Sequence, residues 1–86
     1  MISFETYKML PQDMQAEALL HFGVYLELIR TTQQLNIELY ALNEFYVEIY
    51  FDKMTGDPLF LRAFDSVMEL EPYLPFIEID SILETK

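Results

Sequence analysis

The sequence has no cysteine, two glycines and only five basic residues among 86. Without cysteine there are no disulfides, no thiolate nucleophiles and no cysteine-based metal sites. The two glycines, Gly23 and Gly56, are too few for the glycine-rich loops that hold phosphate groups. The lack of cysteine agrees with a reducing compartment, so we expect a cytoplasmic protein.

Acidic residues outnumber basic residues by 15 to 5, which gives a net charge of −10. Such a charge repels phosphate, so we expect the chain to bind neither nucleic acid nor an anionic membrane surface. A basic protein partner is the natural attraction. The plainer interpretation is that an acidic surface keeps the protein soluble.

The composition is that of one folded domain spanning residues 1–86. Hydrophobic residues make up 52% of the chain and aromatic residues 15%, whereas disordered chains are poor in both. This is more apolar material than a thin two-layer domain needs, and an oligomer interface is the usual destination of such a surplus. The most apolar stretch, residues 18–29, is too short and too polar to span a bilayer.

The apolar spacing predicts an α+β fold. Apolar residues recur three and four positions apart over residues 11–31, which predicts a long N-terminal helix. Residues 35–64 alternate with a period of two and predict a three-stranded antiparallel meander. Ser66 and Glu69 have the spacing of a capping box and predict a short helix, after which residues 76–80 are compatible with an edge strand.

The alternation also predicts a strand register. A three-residue loop over residues 42–44 pairs Ala41 with Phe45 and brings most apolar residues to one face, whereas a two-residue loop splits them. Either Asn43 or Glu44 then takes the left-handed conformation, which Asn tolerates better. The same alternation carried to the third strand pairs Ile49 with Leu61 and Glu48 with Arg62. The inner face, packed on the helix, is predicted to hold Ile37, Leu39, Ala41, Val47, Ile49, Leu59, Leu61 and Ala63. The outer face is predicted to hold Asn36, Glu38, Tyr40, Tyr46, Glu48, Tyr50, Phe60, Arg62 and Phe64.

We find no catalytic, metal or cofactor pattern, so we expect a protein that is not an enzyme and needs no cofactor. His21 is the only histidine, and a zinc site needs more ligands. In the predicted register Glu38 and Glu48 stand opposite each other, with Arg62 as the cation between them. The functional interpretation is an acid–base pair. We favour a structural Glu–Arg–Glu row, because a flat sheet face has no desolvated cleft to shift a pKa.

The aromatic residues around this row predict an interface. An exposed aromatic patch of that size is unusual on a monomer. The candidate interface residues are Glu38, Tyr40, Tyr46, Glu48, Tyr50, Phe60, Arg62 and Phe64. We expect either a second copy of the chain, in a two-fold homodimer, or the C-terminal residues 70–79 to cover this face, and a small-ligand site is the third interpretation.

Four segments resemble a pattern found in small uncharacterised bacterial proteins. The segments are ELY at residues 38–40, FYVE at 45–48, RAF at 62–64 and LEPYL at 70–74. The resemblance implies no known activity, and those proteins often carry Gly in the first hairpin, where this chain has Asn43 and Glu44. Residues 10–22 resemble the opening helix of some toxin–antitoxin-associated proteins.

Our leading functional hypothesis is therefore a small acidic interaction or assembly module that self-associates and docks another protein. The alternative is an antitoxin-like or inhibitory protein that neutralises a basic protein partner through its charge.

Overall fold

The computed structural model of the chain describes residues 2–76, which form an α+β fold. Two helices come first, α1 (Phe4–Met9) and α2 (Gln12–Phe22). Four strands follow, namely β1 (Val24–Thr31), β2 (Leu35–Leu42), β3 (Phe45–Asp52) and β4 (Pro58–Phe64). They form one antiparallel sheet in the order β1-β2-β3-β4. A 3-10 helix (Val67–Phe76) ends the described part.

The predicted long helix over residues 11–31 is wrong, because Gly23 ends α2 and the chain continues as strand β1. The Gly23 amide donates to the Leu19 carbonyl at 2.7 Å, and the Gly23 backbone is extended. A Cβ at Gly23 would lie 2.5 Å from that same carbonyl oxygen, so a side chain does not fit. The β-branched and aromatic residues that follow favour a strand. Pairing with β2 satisfies their backbone groups, which outweighs the helical spacing of the apolar residues, and the sheet gains a fourth strand.

The hairpin between β2 and β3 has a two-residue loop, so the predicted three-residue loop is wrong. Leu42 pairs with Phe45, and Ala41 pairs with Tyr46. Asn43 adopts the left-handed conformation, with φ 55°, as predicted in preference to Glu44. Its side-chain amide also donates to the Ile2 carbonyl at 3.3 Å, which ties the hairpin to the N-terminus.

The pairing of β3 with β4 is the predicted one. Ile49 lies opposite Leu61, and Glu48 lies opposite Arg62. The error in the β2–β3 loop therefore shifts only β2 and leaves the other two predicted strands in their correct relative register.

The sheet has a buried core on both of its faces. The helix face, which α1 and α2 cover, has its core at Tyr7, Leu19, Leu42, Phe45 and Val47. The opposite face is covered by the 3-10 helix and has its core at Leu39, Phe64 and Tyr73. We call it the clasp face, after the group of residues around Glu48 that ties the 3-10 helix to it. The register prediction assumed that one face alone is buried. Because both faces are covered, an alternating strand can bury both of its sets of side chains.

This arrangement corrects the predicted faces. Val47, Ile49, Leu61 and Ala63 lie on the helix face, as predicted. Pairing places Ile37, Leu39 and Ala41 on the clasp face instead. Glu38 and Tyr40, with Asn36, move in the opposite direction, onto the helix face. Leu59, predicted to be buried, is 51% exposed.

Hydrogen bonds join α1 to α2 beside the helix face. The buried Tyr7 hydroxyl donates to the Gln15 carbonyl at 2.7 Å, and the Gln15 side-chain amide donates back to the Tyr7 carbonyl at 2.9 Å. Burial raises the pKa of Tyr7 to about 12, so its hydroxyl stays protonated as a donor. These reciprocal bonds fix a helix of only six residues, which is too short to be stable alone.

The C-terminal segment crosses the clasp face. Ser66 lies just before the 3-10 helix and accepts a hydrogen bond from the Met68 amide at 3.2 Å, in agreement with its predicted capping role. Pro72 and Pro75 both lie inside the 3-10 helix. The predicted edge strand begins at Phe76, which ends the 3-10 helix, and its remaining residues 77–80 lie outside the described residues.

Candidate functional site

A carboxylate buried beneath the 3-10 helix is the most highly connected polar group in the described part of the chain. Glu48 is fully buried and accepts hydrogen bonds on both of its carboxylate oxygens. Its Oε1 accepts from Tyr50 at 2.8 Å and from Arg62 Nε at 3.1 Å. Its Oε2 accepts from Tyr73 at 2.6 Å and from Arg30 at 3.2 Å. We call these five residues the clasp, because they tie the 3-10 helix to the sheet.

Strand pairing brings the arginines of the clasp close to Glu48, and Tyr73 joins them from the 3-10 helix. Arg62 lies directly opposite Glu48 on the neighbouring strand. Arg30 reaches from β1, and its guanidinium also lies over the Tyr73 ring, 5.4 Å from its centre. Arg62 forms a second ion pair with Glu69 of the 3-10 helix at 2.6 Å. The predicted pairing of Glu48 with Arg62 is confirmed, but Glu38 takes no part in it.

The pKa of Glu48 lies below the ordinary value of a glutamate. Burial by itself would raise this pKa, but the hydrogen bonds from Tyr73 and Tyr50 and the charge of Arg62 outweigh it. The carboxylate therefore stays ionised near neutral pH. Burial, followed by the bond to this carboxylate, raises the pKa of Tyr73, which keeps the hydroxyl protonated.

The hydrogen bonds that the Glu48 carboxylate already accepts limit the chemistry that this site can perform. Four donors occupy the lone pairs of Glu48, and its carboxylate has no contact with solvent. A general base needs a raised pKa and access to a proton on the substrate. The clasp has neither, and its geometry is that of a structural tie. The Nε atom of Arg30 is buried and has no hydrogen-bond partner among residues 2–76, so Arg30 is the less well satisfied of the two arginines.

The sheet separates the eight candidate interface residues. Pairing places Tyr46, Glu48, Tyr50, Phe60, Arg62 and Phe64 together on the clasp face. Glu38 and Tyr40 lie on the helix face, where the Tyr40 hydroxyl donates to Glu38 at 2.9 Å. The predicted Glu38–Glu48 pair therefore does not exist, since Glu38 lies opposite Ile49 and Glu48 opposite Leu39.

The cover of the clasp face comes from the same chain over the described residues. Tyr73 is fully buried there, and Leu70 packs against the same cluster. On the same face, Tyr46 stacks on Phe64 with ring centres 5.6 Å apart, and Tyr50 stacks on the exposed Phe60 at 4.4 Å. Of the two covers that we expected, residues 70–76 supply the intrachain one, and residues 77–79 lie outside the described part.

A second surface, which the sequence analysis missed, lies where β1 meets the helix face. Exposed and less exposed residues alternate along β1, and Tyr25, Glu27, Ile29 and Thr31 are exposed. None of the β1 side chains belongs to the core cluster of the helix face. Tyr25 stacks on Tyr40 with ring centres 5.1 Å apart, and Tyr40 and Leu20 line one shallow groove.

We call the exposed residues of this surface the β1 patch; they are Leu20, Tyr25, Glu27 and Ile29, with the partly buried Glu38 beside them. Both carboxylates lie close to Tyr25. Its pKa is raised by burial first, and then by the negative charges of Glu38 and Glu27. The sequence signal for this surface is the strand-forming run that follows Gly23.

A third feature is a groove on the outer side of α2. Its volume is about 240 Å³, and Met14, Glu17, His21 and Phe22 are among the residues that line it. His21 is exposed and packs near the Phe22 ring. Among residues 2–76, histidine and the acidic residues form no cluster of three that could bind a metal ion.

Comparison with known proteins identifies no relative. Neither the family models, nor the curated proteins, nor the solved structures contain a match to this chain. In the part of the chain that the structure describes, no helix has the length and apolar character needed to cross a membrane.

Proposed function

We propose that this chain is a non-enzymatic interaction module that binds a basic protein partner through the β1 patch. The observation that carries the proposal is the presence of exposed apolar side chains on β1 beside two carboxylates, Glu27 on the same strand and Glu38 on β2. Ile29 is 43% exposed and Tyr25 is 39% exposed, with Glu27 between them in the sequence. Burial of the apolar groups would supply affinity, and the carboxylates would favour a basic partner over an acidic one.

The charge of the chain supports a basic partner because its own lysine and arginine side chains, within residues 2–76, already bind other groups of the chain. Arg30 and Arg62 bind Glu48 within the clasp. Lys8 pairs with Glu5 at 3.5 Å, and Lys53 donates to the Thr32 carbonyl at 3.1 Å. These are the basic residues of the described part, so the carboxylates of the β1 patch are left to attract a partner's lysine or arginine.

We propose a non-enzymatic module because the two carboxylates that an acid–base site would need are separated. Glu38 and Glu48 lie on opposite faces of the sheet. Glu48 is saturated with donors and ionised, which suits a tie rather than a proton transfer. A cytoplasmic location, which the lack of cysteine favours, belongs to the same proposal. An antitoxin-like or inhibitory role is its specific form, if the basic partner is a toxin or an enzyme.

A pull-down from the native host, with identification of the recovered proteins, tests this proposal. Ile29→Ser removes an exposed apolar side chain from the β1 patch. Leu59→Ser is the matched control, because Leu59 is exposed to a similar extent, 51%, on the opposite edge strand. We expect wild type and Leu59→Ser to recover one lysine- or arginine-rich protein at low salt. Ile29→Ser should lose that protein, and physiological salt should weaken its recovery.

Equal recovery of that protein by the two variants would contradict the use of the β1 patch. Recovery that does not respond to salt, or of an acidic protein alone, would contradict the basic partner.

Self-association is the second candidate function, and the outer surface of the 3-10 helix favours it. Val67, Met68 and Leu74 are exposed there, and Phe60 is exposed on the adjoining strand. Arg62 and Glu69 form an ion pair on the same side of the sheet, so the charge of Glu69 is balanced within its own chain. A two-fold dimer would bury this surface on both copies. In light scattering at high micromolar concentration, wild type should be dimeric and Met68→Glu Leu74→Glu monomeric, whereas a monomeric wild type would exclude the dimer.

A further inference from the structure

The two edges of the sheet differ in what they offer to another strand. At the β4 edge, the Gln12 side chain forms hydrogen bonds with both the amide and the carbonyl of Leu61. The Leu61 amide donates to Gln12 Oε1 at 2.7 Å, and Gln12 Nε2 donates to the Leu61 carbonyl at 3.4 Å. The Gln12 amide thus stands where the backbone of a neighbouring strand would stand, and it caps this edge at Leu61.

The β1 edge remains open within residues 2–76, since β2 is the one strand that pairs with β1. The turn bond from the Thr32 amide to the Leu35 carbonyl, 2.9 Å long, sets the pattern of the ladder. Opposite residues in an antiparallel ladder alternate between hydrogen-bonded and non-hydrogen-bonded pairs. Because Thr32 is bonded to Leu35, the backbones of Arg30 and Leu28 are bonded to β2, whereas those of Thr31 and Ile29 are not. The amides and carbonyls of Ile29 and Thr31 therefore point away from the sheet.

A bulge limits the open edge to a short stretch. The register shifts between Tyr25 and Leu28, and Glu27 within this bulge has φ 59°. The left-handed conformation is unfavourable for a glutamate. The regular edge therefore runs from Leu28 to the end of β1, which is long enough for an incoming strand to bond to Ile29 and Thr31.

The carboxylates beside this edge favour a positively charged strand as its binding partner. Glu27 lies within β1 itself, and Glu38 lies opposite Ile29 on β2. A second copy of this chain would bring the same carboxylates together, on molecules that each carry a net charge of −10. A segment with lysine or arginine would instead place opposite charges beside them.

We infer that the β1 edge is the docking site for an extended segment of another protein, in which lysine or arginine alternates with apolar residues. The segment adds a fifth strand to the sheet by bonding to the backbone of Ile29 and Thr31. Its cations lie on the helix face, where their aliphatic stems pack on Ile29 and Tyr25 and their charged groups meet Glu27 and Glu38. Its apolar side chains lie on the clasp face beside Leu28. The inference rests on the proposed function and adds the mode of binding, which is strand addition.

A short synthetic peptide of alternating lysine and valine tests strand addition on the intact chain. Its controls are the glutamate–valine peptide and a lysine–valine peptide with methylated backbone nitrogens, which cannot complete the ladder. We expect the lysine–valine peptide to bind and to slow amide exchange at Ile29 and Thr31 by about tenfold or more, as measured by NMR. Both control peptides should bind at least about tenfold more weakly.

Two protein variants separate the backbone contribution from the charge contribution. Thr31→Pro removes an amide that faces the open edge and leaves the bonds to β2 in place, so it should weaken the lysine–valine peptide about tenfold. Glu27→Gln Glu38→Gln should weaken it to a similar degree and remove most of the salt dependence.

Each other outcome has a defined meaning. Equal binding of the methylated peptide would overturn strand addition while leaving the basic partner in place. If the charge variant changes neither affinity nor salt dependence, the proposed function fails as well. No binding by the lysine–valine peptide, or protection of the β1 amides that grows with protein concentration alone, would overturn the inference; the latter would assign the edge to a second copy.

Discussion

Replacement of Glu48 by glutamine is the sharpest test of how the C-terminal segment is held on the sheet. The substitution keeps the size of the side chain and removes its charge. One oxygen that now accepts two hydrogen bonds becomes an amide nitrogen, which faces donors instead. Arg30 and Arg62 then lose the anion that both of them contact, at 3.2 and 3.1 Å.

The expected loss follows from what each partner can recover from water. Removal of one member of a buried ion pair costs about 3–5 kcal/mol. The two arginine side chains are 25% and 42% exposed, so both are partly rehydrated and the cost falls towards the lower end. The Tyr73 hydroxyl is buried and has no such recourse. We therefore expect Glu48→Gln to lower the free energy of unfolding by about 2–4 kcal/mol.

Urea unfolding followed by tyrosine fluorescence or circular dichroism measures this loss. With a slope of about 1 kcal/mol per molar urea, the midpoint should fall by about 2–4 M. Glu38→Gln is the matched control, because it neutralises a carboxylate on the opposite face that accepts one tyrosine hydrogen bond. It should cost less than about 1 kcal/mol.

The pH dependence gives an independent check on the same residue. The pKa of Glu48 is lower in the folded chain than in the unfolded chain. Its contribution to stability is therefore complete above the unfolded pKa, about 4.3, and is lost as the pH falls through the folded pKa. The stability difference between wild type and Glu48→Gln should shrink over that acidic range. A difference below about 0.5 kcal/mol at neutral pH, or an equal loss from Glu38→Gln, would refute the role of the clasp.

Three further substitutions test local features. Gly23→Ala should destabilise the fold by about 1–3 kcal/mol in the same urea assay, because its Cβ would lie 2.5 Å from the Leu19 carbonyl oxygen; an unchanged midpoint would contradict this contact. Asn43→Ala should cost about 1–2 kcal/mol, because Asn43 has φ 55°, whereas Asn43→Gly should be nearly neutral; similar losses would show that the side-chain bond to Ile2 matters more than the backbone conformation. Gln12→Ala should cost about 1 kcal/mol and raise aggregation in light scattering, because it uncovers the Leu61 backbone; unchanged solubility and stability would show that the β4 edge needs no cover.

The sequence alone was sufficient where local chemistry decides the structure. The alternation in residues 35–64 identifies strands β2, β3 and β4, and their short connections require them to be antiparallel. The preference of Asn43 for the left-handed conformation and the pairing of Glu48 with Arg62 also follow from residue types and spacing. These features need no knowledge of what lies across the sheet.

Only the tertiary structure decided the fate of residues 24–31 and the register of β2. The spacing of Phe22, Leu26 and Ile29 fits a helix, and β-branched residues in the same segment fit a strand. The choice depends on whether β2 offers its edge, which no local pattern records. The β2 register in turn depends on how many faces of the sheet are buried. Because the 3-10 helix covers the second face, burial no longer requires the apolar residues to share one side.

The candidate site moved for the same reason. The sequence predicts a helix in place of β1 and an outer aromatic face that needs a cover, which places the binding surface around Glu48. In the folded chain, Tyr73 reaches Glu48 from 25 residues away and closes that face, while β1 is exposed at the opposite edge. Contacts so distant along the chain depend on the whole topology, so the tertiary structure and not the local sequence pattern decides which surface is exposed.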